Sequence, residues 1–314
     1  MNSLFTNGVI AVKERLLLGD KLLRFTELTA QEVMRALKES GFGNAEAEDG
    51  ETLVRGEEGA LDDFIREYAP SPVEREYLLA PRDFHNAKAI VKAKKLSLDA
   101  APMLAPDGLR PASVIASVIE GGSYEALGTE LGGAVKEALE REDLTGAQVG
   151  ALFDKALFRH LQTVCKLNFR IRKLLAGRAD RTNILTAMRA AGDRALAEAL
   201  YVGGGKISVK TLAGIFDENA ERAARALDKT PCAEFYKLCL TAREKGLPLT
   251  EAERALESFE AEYFQERRFE LEGKEPFLYY VFRRRAEIQN VRIILVCLNA
   301  GLSSQEIKKR LRAI

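Results

Sequence analysis

Two histidines and four cysteines are all that 314 residues offer for soft-ligand chemistry. His85 and His160 have no cysteine or second histidine at ligand spacing, and Cys165, Cys232, Cys239 and Cys297 show no zinc-type pairing. No metal site is therefore expected, and the cysteines read as small core residues in a reducing cytosol. The sequence also lacks a Gly-x-Ser-x-Gly elbow, a His-Glu-x-x-His helix and any nucleophile–base pair. Accordingly, no catalytic residue and no cofactor-binding residue is assigned. The segment from Tyr201 to Ile207 comes nearest to a phosphate loop. It has Leu200 where glycine is required and Ile207 where Ser or Thr is required, so it reads as a helix-breaking turn.

Net charge is lacking too. Lys plus Arg and Asp plus Glu are 47 each, which removes the simplest electrostatic argument for nucleic acid. The longest strongly apolar run, Ile293 to Leu298, falls far short of the roughly 20 residues a membrane span needs, so any membrane role is expected to be peripheral. Leu16-Leu17-Leu18 is hemmed by Lys13, Glu14, Arg15 and Asp20, and no secretion signal is expected. Alternating strand patterns are almost absent, whereas apolar residues recur at helical spacing throughout. The expectation is an all-α protein with two or three cores at this length.

What is present is a triplicated signature of acid, two variable residues, asparagine and an apolar residue. It stands at Asp83 to Ala87, Asp180 to Ile184 and Glu287 to Val291, with the asparagines about a hundred residues apart. Asparagine is a poor interior helix residue because its amide competes for backbone hydrogen bonds, so Asn86, Asn183 and Asn290 need a reason. The structural reading is that each amide ties its helix to a neighbouring turn, and the functional one is a shared central surface. A turn glycine follows each asparagine, at Gly108, Gly205 and Gly301, and opens an amphipathic stretch. Three tandem helical units are expected, over 1–110, 111–207 and 208–314.

Basic residues gather near each signature, and Lys88, Lys92, Arg189, Arg283, Arg284, Arg285 and Arg292 are the candidates for a partner interface. Arg284 falls within an apolar stripe, where a charge must be paired or face a cavity. That stripe, Phe277, Val281, Ile288, Val291, Leu295 and Leu298, predicts a helix from Glu275-Pro276 to near Gly301, followed by a short helix opened by the capping-box spacing Ser303 to Glu306. Asn44 to Asp63 combines Gly50, Gly56 and Gly59 with eight acidic residues and reads as an exposed acidic connection.

These residues, taken in order, resemble the C-type rotor subunits of the V/A-type rotary ATPases, the counterparts of the d-type subunit of eukaryotic V-ATPases. The resemblance is carried by Glu275 to Tyr280, Arg283 to Arg285, Glu287 to Leu295 and Gly301-Leu302-Ser303. It is extended by Thr6 to Lys13, Leu28 to Glu32, Asp83 to Lys88 and Leu152 to Phe158. Ala87 departs from the leucine common after this asparagine. The resemblance implies a pseudo-threefold, funnel-like helical adaptor with no active site and no cofactor. It would lie on the cytoplasmic face between the central stalk and the membrane rotor ring of proteolipid subunits, in a machine coupling ATP synthesis or hydrolysis to proton or sodium transport. The rival reading is a generic helical scaffold for a soluble protein partner.

Overall fold

The computed structural model describes residues 3–190, 192–216 and 220–312, and among them every regular element is a helix. In chain order these are α1 (Ser3–Lys13), α2 (Lys21–Phe25), α3 (Ala30–Glu39), α4 (Gly50–Tyr68), α5 (Pro72–Leu96), α6 (Ala112–Gly121), α7 (Thr129–Glu140) and α8 (Gly146–Val164). They continue with α9 (Phe169–Arg189), α10 (Arg194–Leu200), α11 (Val209–Ala213), α12 (Ala220–Leu227), α13 (Ala233–Glu244), α14 (Thr250–Gln265), α15 (Glu275–Asn299) and α16 (Ser304–Lys308). Local chemistry sets many of these boundaries. Thr29, Thr145 and Ser303 close capping boxes with Glu32, Gln148 and Glu306, satisfying amide groups that the first turn would otherwise leave unpaired. Pro276 sits in the first turn of α15, where its missing N–H costs nothing.

The chain divides into two compact units, residues 1–75 with 257–314, and residues 76–256. In the first, α15 is the central element, with α1, α2, α3, α4 and α16 packed on it. Phe277, Val281, Ile288, Val291 and Leu295 are buried as one stripe, but Leu278, Tyr279, Tyr280 and Ile294 are buried as well, because helices approach from several sides. Phe64 of α4 meets Phe277 and Tyr280 at ring distances of 5.8 and 5.2 Å. Asn7 of α1 donates its side-chain N–H groups to the carbonyls of Glu270, Leu271 and Gly273, which fixes the connection into α15.

The second unit holds two large apolar clusters. One joins Phe84, Ala87 and Val91 of α5 to Ile115 of α6, Leu131 and Val135 of α7, and Val149 and Phe153 of α8. The other joins Ile184, Leu185 and Met188 of α9 to Tyr201, Leu212, Ile215, Phe235, Tyr236 and Cys239. In this unit each signature helix thus packs against the chain that follows it.

The acidic segment corrects the sequence expectation. Residues 44–63 are not an exposed connection, since most of them form the first three-quarters of α4, capped by Asp49, with Leu53, Val54, Leu61, Phe64 and Ile65 buried along the helix. Two of its glycines are sites of close approach. A Cβ on Gly50 would stand 2.9 Å from Leu295 Cδ1, and one on Gly56 would stand 2.9 Å from the Asn44 nitrogen. Charge repulsion does not keep the segment in water, because Glu51, Glu57 and Glu58 have cationic partners on α15.

Candidate functional site

The three asparagines are buried, and each makes the same pair of hydrogen bonds. Asn86 accepts from the Ala105 N–H at 2.8 Å and donates to the Ala105 carbonyl at 3.3 Å. Asn183 does so with Val202 at 2.8 and 2.9 Å, and Asn290 with Arg312 at 2.7 and 3.1 Å. A primary amide presents one acceptor and donors side by side, so it can replace the two neighbours a strand would have supplied to one residue's backbone. The consequence is a non-helical segment clamped to the flank of a long helix without an exposed or unpaired peptide group.

One turn earlier, the acidic residue of each signature grips a second stretch of backbone. Asp83 accepts from the N–H groups of Leu109 and Arg110 at 2.8 and 3.2 Å, and from the Arg110 guanidinium at 3.0 Å. Asp180 accepts from the Ile207 N–H at 2.8 Å. Gly108 and Gly205 make this approach possible, because a Cβ at either would lie 2.2 or 2.3 Å from the carboxylate oxygen. Burial pushes both aspartate carboxyls above their ordinary range, with the backbone N–H groups pulling the other way.

The third acid reaches elsewhere. Glu287, fully buried, accepts from the Gly19 N–H at 2.9 Å, so its partner lies near the start of the chain. Its other oxygen accepts from Arg284 Nη1 at 2.9 Å, while Arg284 Nε and Nη2 bond Glu57 at 2.9 and 2.7 Å. Glu57 in turn accepts from the Gly43 N–H, and the guanidinium lies 5.0 Å from the Phe42 ring centroid. Burial acts to lower the Arg284 pKa, but the two carboxylates outweigh it and hold the side chain charged. Gly301, the third turn glycine of the sequence pattern, instead ends α15 in a left-handed conformation at φ +73° and touches no acid.

The remaining basic candidates are scattered over several elements. Lys88 pairs with Asp154 at 3.0 Å, and half-buried Lys92 is held below its ordinary pKa by burial and then by Lys88. Arg189 pairs with Glu253 at 2.7 Å, and Arg283 donates to the Tyr279 hydroxyl at 3.0 Å. Arg292 clamps Glu51 and Glu58 of α4, both at 3.0 Å, and Arg285 is half-buried on α15. Sequence reasoning missed Gly19 and Glu57. An acid at position 57 among Leu53, Val54 and Leu61 was the signal for Glu57; nothing in the spacing marks Gly19.

The site binds protein backbone, and its titratable groups are consumed in doing so. Burial raises the Cys232 thiol to about 11 and the Cys239 thiol to about 12, so both stay protonated and poorly nucleophilic near neutrality. Among the described residues, no cluster of His, Cys, Asp or Glu has the arrangement to hold a metal ion, and no helix is long and apolar enough to cross a membrane. No curated protein matches the chain. A family model described as the ATP synthase (C/AC39) subunit matches residues 8–310, a span that includes all three signatures and Gly19. The chain therefore belongs to the C/AC39 subunit family of the V/A-type ATP synthases.

Proposed function

We propose that this protein is the non-catalytic adaptor of the central rotor, joining the stalk to the membrane ring and passing torque between them during ion transport. The observation that carries the reading is the family match across residues 8–310. The grips support it mechanically, since an element that transmits torque needs stiff helices whose connecting segments cannot peel away. In this proposal three homologous units, with sequence bounds 1–110, 111–207 and 208–314, form a pseudo-threefold funnel at the cytoplasmic face. Each signature helix supports a connecting segment through its asparagine.

The partners proposed are the central-stalk subunits and the proteolipid ring, met by Lys88, Lys92, Arg189, Arg283, Arg285 and Arg292. Arg284 faces inward and serves the fold. Affinity purification from native membranes tests the reading. Co-migration of ATPase stalk and ring subunits is expected, with no ATP turnover by the isolated chain. Recovery of soluble proteins alone would favour the generic scaffold, and turnover abolished by a point change within this chain would favour an enzyme. A double Arg283→Gln, Arg285→Gln variant is expected to fold normally and to bind its partners more weakly, with less sensitivity to salt.

A further inference from the structure

The turn between α8 and α9 exposes an apolar tip. Leu167 is 95% exposed and Phe169 66% exposed, while their neighbours Cys165 and Ile171 are fully buried. The tip is held in shape. Asn168 N–H donates to the Cys165 carbonyl at 2.9 Å, and the Asn168 side chain caps α9 by accepting from the Ile171 N–H at 3.1 Å. Fixed exposure of two large apolar side chains on one turn has a cost in water that packing within the chain does not relieve.

The charge of the flanking sequence is of one sign. Between Asp154 and Asp180 the sequence has seven Lys and Arg residues and no Asp or Glu, within a chain that is neutral overall. Lys166, Arg172 and Lys173 are exposed around the tip, and Arg172 lies 5.8 Å from the Phe169 ring centroid. Arg170, Arg172 and Lys173 also occupy the N-terminal turns of α9, where the helix dipole disfavours cations. A partner that supplies negative charge relieves that conflict. The loop before α15 makes the contrast: Phe269 and Leu271 are 71% and 72% exposed, but Glu266, Glu270 and Glu272 accompany Arg267 and Arg268 there.

We propose that the 166–173 tip docks on an anionic lipid surface, with Leu167 and Phe169 entering the headgroup boundary and Lys166, Arg172 and Lys173 meeting the phosphates. Apolar side chains collared by long cations are the arrangement that combines interfacial burial with electrostatic attraction. This goes beyond the adaptor reading, because it assigns contact with the bilayer itself and needs no other subunit.

Co-sedimentation of the isolated chain with protein-free vesicles tests it. Binding is expected to vesicles of mixed phosphatidylcholine and phosphatidylglycerol, to fall with salt, and to be much weaker for phosphatidylcholine alone. Leu167→Ser, Phe169→Ser should lose roughly tenfold or more in partitioning. Lys166→Gln, Arg172→Gln, Lys173→Gln should lose about fivefold per residue, and Phe269→Ser, Leu271→Ser should change little. Melting curves should stay unaltered, since all these side chains are exposed. Absence of vesicle binding, equal loss in the 269/271 variant, or retention of polyglutamate binding in the Leu167/Phe169 variant together with unchanged vesicle binding would overturn the proposal. The last outcome would assign the cations to an acidic protein instead. A negative result here leaves the co-purification test of the adaptor reading intact.

Discussion

The first two grips and the third use the same asparagine and different acids, and the difference follows the path of the chain. Asp83 and Asp180 seize backbone that arrives 26 or 27 residues later, beside a glycine small enough to let a short side chain reach it. Glu287 seizes Gly19, 268 residues earlier in sequence, and carries one more methylene. It is also the only one of the three acids that shares its carboxylate with a buried guanidinium. The local grips cost little loop entropy to close, whereas the third joins remote parts of one unit and is reinforced by the Arg284–Glu57 pair.

The largest effect should come from breaking that reinforcement. Arg284→Met leaves Glu57 and Glu287 buried without their cation and is expected to cost about 3–5 kcal/mol in chemical denaturation. Adding Glu57→Gln and Glu287→Gln should recover much of the loss by removing the unpaired charges. A cost below about 1 kcal/mol for Arg284→Met would show that water already reaches the cluster.

Next in size are the asparagines. Asn86→Leu and Asn183→Leu each orphan an N–H and a C=O, at roughly 1–3 kcal/mol per group that stays buried. Asn86→Leu and Asn290→Leu should cost less than Asn183→Leu, because their partners Ala105 and Arg312 are half-buried and water can replace the amide, whereas Val202 is buried. Equal losses at all three positions, read from thermal melts, would erase that distinction. Smaller again are the glycines: Gly108→Ala and Gly205→Ala drive a methyl into a carboxylate, at about 1–3 kcal/mol. Gly301→Ala meets no neighbour and carries only left-handed strain, about 1 kcal/mol.

The two local grips have a readable sequence basis. Acid and asparagine share a helix face at three-residue spacing, and the glycine follows at a constant 22 residues. The helix over 275–299 and the capped helix after Ser303 were equally plain from apolar stripe and cap chemistry. What stayed hidden was non-local. The acids of α4 look solvated until Arg284 and Arg292, more than 200 residues away, are seen against them. Gly19 has no repeated spacing to announce it, and Gly301 follows its asparagine by 11 residues instead of 22 and performs a different task.

The smallest expected effect is electrostatic. Because burial raises the Asp83 and Asp180 carboxyls, the folded chain binds those protons more tightly than the unfolded chain. The two sites contribute stability that is full below the ordinary aspartate pKa and lost as pH rises through the folded value. Wild type should therefore gain stability relative to Asp83→Asn, Asp180→Asn as the pH falls from neutrality toward about 4. A relative loss over that window would mean that the backbone hydrogen bonds outweigh desolvation.

The comparison of the grips rests on Glu287 holding the N-terminal segment as firmly as the aspartates hold theirs. Amide hydrogen exchange at Gly19, Leu109 and Ile207 decides the point. All three N–H groups lie outside helices and donate to buried carboxylates, so comparable protection is expected. Glu287→Ala should release Gly19 while leaving Ile207 protected. A Gly19 amide that exchanges like an exposed loop in the wild-type chain would refute the third grip.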